Sequence, residues 1–227
     1  MIENALGVMG IPMGVCANLK LNGHDRLVPM AVEEPSVIAA ASYASKLMRP
    51  TGGVWAEVSP AHMIGQIQVL DVSDVEKATA NVLAAKDTLI QKANSFHHRL
   101  RAAGGGAIDV EVRCLEPMDE NDPLGTMLIV HLIVDVGEAM GANAVNSMCE
   151  RIAPNIEELT GGRVRLRILS NLTDRRLVKV TGRIPVETLN GCGAESGAAL
   201  AEGIQEASIF AERDPYRSAT HNKGIMN

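Results

Sequence analysis

The sequence predicts an α+β protein in which a small split βαβ unit is inserted into a larger α/β domain. Three observations predict it. Residues 61–171 read as strand, helix, strand, strand, helix, strand, with apolar period near 2 in the strands and 3.6 in the helices. In a split βαβ unit the first and last strands lie side by side and antiparallel, so such a unit begins and ends at one place. The flanks, 1–60 and 172–227, differ in texture, the first being rich in Gly, Pro and Ala. They are therefore read as one domain interrupted by the insertion.

The elements follow in order. "RLVPMAVEEPSVIAAASYASKLMR" reads as a short strand, a turn at Glu33-Glu34-Pro35, then a helix. Pro35 suits the first helical position and Ser36 the first turn. Val37, Ala40, Ala41 and Ala44 would share the packed face. "QIQVLDV" is a strand. "SDVEKATANVLAAKDTLIQKAN" is one helix, with Ser73 and Glu76 as a capping box and a stripe of Val75, Ala78, Val82, Ala85 and Leu89. The Gly104–Gly106 run is a helix C-cap and turn; no Gly-Lys-Ser/Thr follows it, which rejects a P-loop. "IDVEVRCL" alternates, placing Ile108, Val110, Val112 and Cys114 on one face. "TMLIVHLIVDV" is a longer buried strand. "ANAVNSMCERIAPNIEELTGG" is a helix with Val145, Met148, Ile152, Ile156 and Leu159 inward, a kink expected at Pro154 and a stop at Gly161-Gly162. "RVRLRIL" closes a ferredoxin-like unit. A last helix, "SGAALAEGIQEASIFAER", ends before Asp214-Pro215.

Composition excludes several functions. Aromatic residues are 2% of the chain, too few for a base-stacking platform. Net charge is -6, which disfavours a polyanion-binding surface, so no nucleic-acid partner is expected. No apolar run approaches the roughly eighteen residues of a membrane span. "MIENALGVMGIPMG" has Glu3 and no basic n-region, unlike a signal peptide. Cys16, Cys114, Cys149 and Cys192 show no CxxC spacing and read as reduced thiols of a cytoplasmic protein. Nothing has metal-ligand spacing.

Candidate chemistry sits in few places. Glu33 and Glu34 precede a helix, where they would cap it, or one would handle a proton if burial raised its pKa. "DVGEAMGANAVN" is a strand-to-helix turn flanked by Gly137 and Gly141, a plausible pyrophosphate seat or simply a turn, without the GxGxxG fingerprint. The closing "DPYRSATHNKGIMN" gathers Arg217, His221, Asn222, Lys223 and Asn227 beside Gly224, in a polar segment read as loop. There Arg217 could hold a carboxylate and Lys223 an oxyanion, or both could be solvated charges.

The blocks "ENALGVMGIPMGV", "PMAVEEPSVIAAASYASKLMR", "HLIVDVGEAMGAN", "RLRILSN" and "DPYRSATHNKGIMN", in this order, resemble class II 3-hydroxy-3-methylglutaryl-coenzyme A (HMG-CoA) reductase from Met1 to Asn227. The resemblance implies an oxidoreductase of isoprenoid metabolism that interconverts HMG-CoA and mevalonate plus coenzyme A with two NAD(P)H, through a mevaldehyde stage. It implies a large domain for the CoA ester and a small inserted domain for the nicotinamide. The family's catalytic Glu and Lys match Glu34 and Lys223; its substrate contacts match Ser36, Arg217, Asn227 and Asn171. Its cofactor motif Asp-Ala-Met-Gly-x-Asn falls on Glu138, Ala139, Met140, Gly141, Ala142 and Asn143, with Glu138 in place of Asp. Relatives that prefer NADH carry an acidic residue near the end of the first small-domain helix. His97 stands there, beside His98, Arg99 and Arg101, which implies that NADPH is accepted at least as well as NADH. The resemblance further implies a homo-oligomer with sites at the subunit interface. Family members continue past "GIMN" to a catalytic Asp and a catalytic His, so these 227 residues alone are expected to be inert. The alternative is a non-catalytic CoA-ester or nucleotide-binding fragment.

Overall fold

Two sheets organise the chain, each in its own unit, in the computed structural model, which describes residues 2–227. The elements are β1 (Met13–Leu21), β2 (His24–Ala31), α1 (Val37–Met48), β3 (Val54–Val58), β4 (His62–Leu70), α2 (Val75–Ala84), α3 (Lys86–Asn94) and α4 (His98–Ala102). Then come β5 (Gly106–Leu115), β6 (Met127–Asp135), α5 (Ala142–Thr160), β7 (Arg163–Leu169), β8 (Val178–Gly182), α6 (Gly197–Arg213) and α7 (Pro215–Met226).

One unit is Val58–Val178; the other joins the chain up to Glu57 with Lys179–Asn227. The expected insertion, 61–171, is shorter at both ends. The compact unit extends outward because Ser59 and Leu177 clasp: Leu177 N donates to Ser59 Oγ at 2.7 Å, and Ser59 N donates to Leu177 O at 2.9 Å.

In the inserted unit the strand order is β5-β6-β4-β7, with β4 antiparallel to both β6 and β7 and β5 antiparallel to β6. First and last strands are neighbours, as a split βαβ unit requires. Ile67, Val69, Val110, Leu128, Val130 and Leu132 on the sheet pack with Met148, Ile152 and Ile156 of α5, all nearly fully buried. Burying each such side chain contributes about 1.5–3 kcal/mol.

Several sequence expectations are corrected in detail. The segment after β4 is two helices, α2 and α3, broken at Ala85. Its N-cap is Asp74, one residue past Ser73, and its side chain accepts from Lys77 N at 2.9 Å. Ile108 is 43% exposed because a β-bulge between Ala107 and Asp109 turns it out, while Val110 stays buried; Cys114 is exposed near the strand end. A second bulge in the β4–β7 ladder puts Val164 inward and leaves Leu166 and Ile168 outward, breaking the simple alternation of "RVRLRIL". Helix α5 continues through Pro154, which lies on its exposed side.

The other unit has a thinner core. Its sheet order is β2-β1-β3-β8, and its buried apolar residues include Cys16, Val32, Val54 and Leu189. Helix α1 starts at Val37, after Pro35 and Ser36 rather than through them. Its inward side is Ile38, Ala41, Ser42 and Ser45, not Ala40 and Ala44, which are exposed. The serines are tolerated because Ser42 Oγ donates to Ile38 O at 2.8 Å and Ser45 Oγ donates to Ala41 O at 2.7 Å. Ser42 Oγ also accepts from Ala17 N at 3.0 Å, tying α1 to β1. Ile204, Phe210, Tyr216, Ile225 and Met226 of α6 and α7 are exposed.

Gly65 of β4 lies under α5, where a Cβ would overlap Cys149 Sγ and Val145 Cγ1. Gly65→Ala is expected to destabilise the inserted unit by about 1–3 kcal/mol, the usual range for overpacking. A urea midpoint lowered at unchanged m-value checks this; an unchanged midpoint would show that α5 slides freely.

Candidate functional site

The strongest cluster forms where β2 hands over to α1. Strand β2 ends at Ala31, and Val32 is buried, with its N–H donating to Pro12 O at 3.2 Å. This anchors the turn that carries Glu34. Ser36, the N-cap, adopts φ 72° and makes no side-chain cap bond, so it and Glu34 stay exposed above the helix start. Neither acid caps α1, whose first turn holds no acidic residue.

The partner comes from the chain's last segment, which is helix α7 and not the loop the sequence reading expected. Asp214 is its N-cap, accepting from Arg217 N at 2.7 Å, and Pro215 fills the first position. Lys223 lies in the last turn, where a cation suits the helix dipole. Asn227 follows four residues later, on the same side. Both reach one atom: Glu34 Oε2 accepts from Lys223 Nζ at 2.7 Å and from Asn227 Nδ2 at 2.5 Å.

The Lys223 ammonium, through its hydrogen bond and then its charge, holds the Glu34 carboxyl below the usual range; the Asn227 amide adds to this. The sequence reading required burial to raise this pKa for proton donation. The opposite holds, because Glu34 is 47% exposed and paired with a cation.

The remaining expected substrate contacts, Arg217 and Asn171, are not among the partners of Glu34. Arg217 lines a cavity of about 490 Å³ with Ile204, Phe210 and His221. Asn171 lies in the inserted unit, in the exposed turn after β7.

Within the inserted unit, β6 leads through the 136–141 turn into α5. Gly137 and Gly141 adopt φ 55° and 88°, and a Cβ on Gly141 would overlap Val136. Asp135 Oδ1 accepts from Gly137 N at 2.9 Å. Gly141 is the N-cap and brings no side-chain acceptor, so the first amides of α5, beginning at Ala142 and Asn143, keep donors for an outside group. Glu138, Ala139 and Met140 are exposed at the turn. An anionic group fits this cradle, whose tightness at Gly141 lets backbone come close.

His97 is half-buried at the N-cap position of α4, where its side chain makes no cap bond. With Phe96, Ser147, Glu150 and Arg151 it lines a cavity of about 490 Å³. The Arg151 guanidinium sits 4.3 Å over the Phe96 ring. Glu150 Oε2 is 2.8 Å from Arg167 Nε, an ion pair by distance though the N–H is not aimed as a hydrogen bond.

Sequence reasoning missed Arg151, and it also missed a polar row across the inserted sheet. Glu111, His131 and Gln66 are cross-strand neighbours in register. His131 is buried, which lowers its pKa, and its Nε2 lies 3.0 Å from Gln66 Nε2. Their alternation against buried neighbours was the available signal. Burial pushes the Cys149 thiol up to about 12, which makes it inert as a nucleophile. Among the described residues no three His, Cys, Asp or Glu side chains gather as metal ligands.

The family model for hydroxymethylglutaryl-coenzyme A reductase matches residues 1–227. The chain is 47% identical, over its whole length and 50% of the relative's, to the 3-hydroxy-3-methylglutaryl-coenzyme A reductase of Archaeoglobus fulgidus. It is 30% identical, with the same coverage, to a probable reductase of that name from Borreliella burgdorferi. A solved structure of the Streptococcus pneumoniae reductase superposes with TM-score 0.91 at 39% identity, covering 99% of this chain and 59% of that one. Another, the class II S. pneumoniae enzyme bound to NADPH in open conformations, matches with the same TM-score and identity over 53% of its length. The chain thus spans about half the length of the relatives it matches.

Because folding lowers the Glu34 pKa, the pair's interaction is present above the ordinary carboxylate range and is lost as pH falls through the lowered value. A carbon-13 titration of the Glu34 carboxyl is expected to give a midpoint below that of an exposed glutamate. Lys223→Met is expected to move it upward. A midpoint unmoved by that change would show that the ion pair does not persist in solution.

Proposed function

The chain belongs to the hydroxymethylglutaryl-coenzyme A reductase family, and from that premise we propose that it carries the acid–lysine pair and the nucleotide turn of an NAD(P)H-dependent oxidoreductase interconverting HMG-CoA and mevalonate plus coenzyme A. The observation that carries this reading is the contact of Glu34 with Lys223 and Asn227. In this proposal the unit containing Glu34 and Lys223 takes the CoA ester, with Ser36, Arg217 and Asn227 as contacts. The inserted unit takes the nicotinamide nucleotide through Glu138–Asn143.

The nicotinamide supplies hydride when bound; the chain's own residues handle charge and protons. Hydride addition to a thioester carbonyl leaves negative charge on its oxygen. One Lys223 N–H is engaged by Glu34, and two donors remain for that oxygen. A fixed donor of this kind is typically worth about 10²–10³ in rate. As the ammonium turns toward the oxyanion, Glu34 loses the cation that holds its pKa down. Its proton affinity then rises when a proton is needed, and its exposure lets solvent reload it. Asn227 keeps the carboxylate oxygen oriented throughout.

His97 and the Arg151 cation line the cavity beside α5, and the Glu150 charge there is offset by Arg167. That supports acceptance of a 2′-phosphate and hence of NADPH beside NADH. The exposed apolar residues of α6 and α7 support burial against further protein, in line with a homo-oligomer. Among the described residues no helix is long and apolar enough to cross a membrane; a cytoplasmic location belongs to the same proposal.

In the full-length protein, Lys223→Ala is expected to abolish turnover with the fold intact, since Lys223 is 63% exposed. Glu34→Gln keeps the shape, removes the proton carrier and is expected to do the same. Steady-state rates beside wild type decide this, and a Glu34→Gln enzyme within about tenfold of wild type, below the roughly 10²–10⁴ that such a group contributes, contradicts the assignment. For cofactor choice, kcat/KM is expected to be at least as high with NADPH as with NADH, and His97→Asp is expected to depress only the NADPH value. A strong NADH preference unmoved by His97→Asp would place the 2′-phosphate end elsewhere.

A further inference from the structure

Adjacent arginines in the segment after β7 are committed differently. Arg175 is spent on a bidentate ion pair, its Nη1 and Nη2 donating to the two Glu111 carboxylate oxygens at 2.7 and 2.8 Å. Glu111 alternates with the buried Val110, so the pair draws the 172–177 segment over the sheet face opposite the core. The next residues are pinned too. Arg176 N donates to Thr173 O at 3.1 Å, and Leu177 is clasped by Ser59 on both sides of its peptide.

With its flanks fixed, the Arg176 side chain reaches the cofactor turn. Its Nη1 lies 3.5 Å from the Met140 carbonyl oxygen, at the outer limit of a hydrogen bond. Among the described residues it forms no ion pair. It is a half-buried guanidinium, held from two sides, with nearly all of its donors uncommitted. The turn itself supplies backbone amides and two carboxylates, Asp135 and Glu138, but no cation.

We propose that Arg176 contacts the pyrophosphate of the bound nicotinamide nucleotide, exchanging its loose contact with the Met140 carbonyl for phosphate oxygens. The proposal rests on the reading that residues 138–143 seat that nucleotide. A pyrophosphate brings two negative charges, which helix amides alone meet only with partial charge. The planar guanidinium matches two phosphate oxygens at once. Arg175 and Glu111 are then positioning residues: they hold the segment from which Arg176 reaches.

The test measures dissociation constants of NADH and NADPH for the full-length protein by nicotinamide fluorescence, with inorganic pyrophosphate as competitor. Arg176→Ala is expected to weaken both nucleotides about tenfold or more, the loss of one charge-assisted contact. The ratio between the two is expected to stay the same, because the pyrophosphate is common to both. Pyrophosphate is expected to displace NADH from wild type and to do so more weakly in the variant, with a flatter salt dependence. Arg176→Lys recovers part of the loss; Glu111→Gln weakens binding less than Arg176→Ala, with an unchanged circular dichroism spectrum. Wild-type affinity in Arg176→Ala, or a loss confined to NADPH, overturns the inference while leaving the nucleotide reading standing. A wild type that binds neither nucleotide overturns both.

Discussion

The antiparallel pairing of β4 with β7 is the constraint on which the rest depends. An insertion is harmless only if its ends meet, and this pairing, continued by the Ser59–Leu177 clasp, makes them meet. The consequence is visible in the other unit. Glu34 and Lys223 are 189 positions apart in sequence and 2.7 Å apart in space. A flexible loop of that length would close at a considerable entropic cost. A folded unit with adjacent ends replaces the long loop by a short bridge, and the two halves of the flanking sheet can then assemble as if continuous.

The Glu34–Lys223 pair shows why a contact must be judged by exposure before energy. Lys223 is 63% and Glu34 47% exposed, so their attraction adds little to stability. What it fixes is geometry. A carboxylate and an ammonium that share one oxygen with an amide are held in mutual reach, yet each remains open to a third partner. The inserted unit has the opposite character: its His131 and Cys149 are buried, and desolvation lowers the pKa of the first and pushes that of the second up to about 12.

Much of this was legible in the sequence. The apolar run of β6 and the stripe of α5 reported their burial directly, since period and core face coincide. The strand order followed from the element order. What failed were features that depend on one residue or on distant chain. A single extra residue at Ile108 flips a face, and no composition rule announces it. The break at Ala85 divides a stripe that stays in phase on either side. Helix α7 was hidden by its polar content and Gly224, although Asp214-Pro215 is a strong start signal. The candidate pair itself was named through family resemblance, but the charge state of Glu34 is set by a partner from the far end of the chain. Arg175 and Arg176 look alike in sequence; only the position of Glu111 separates them.

Ser36 holds a left-handed backbone two residues from the carboxylate that pairs with Lys223. For a residue with a Cβ that conformation costs about 1 kcal/mol, which glycine would not bear. Selection for stability alone would therefore drift this position toward glycine and lose the hydroxyl. Selection for the substrate contact proposed for the Ser36 hydroxyl would retain serine and tolerate the strain. The position is a place where the two pressures pull apart, so sequence variation there among natural variants would report which of them has governed a lineage.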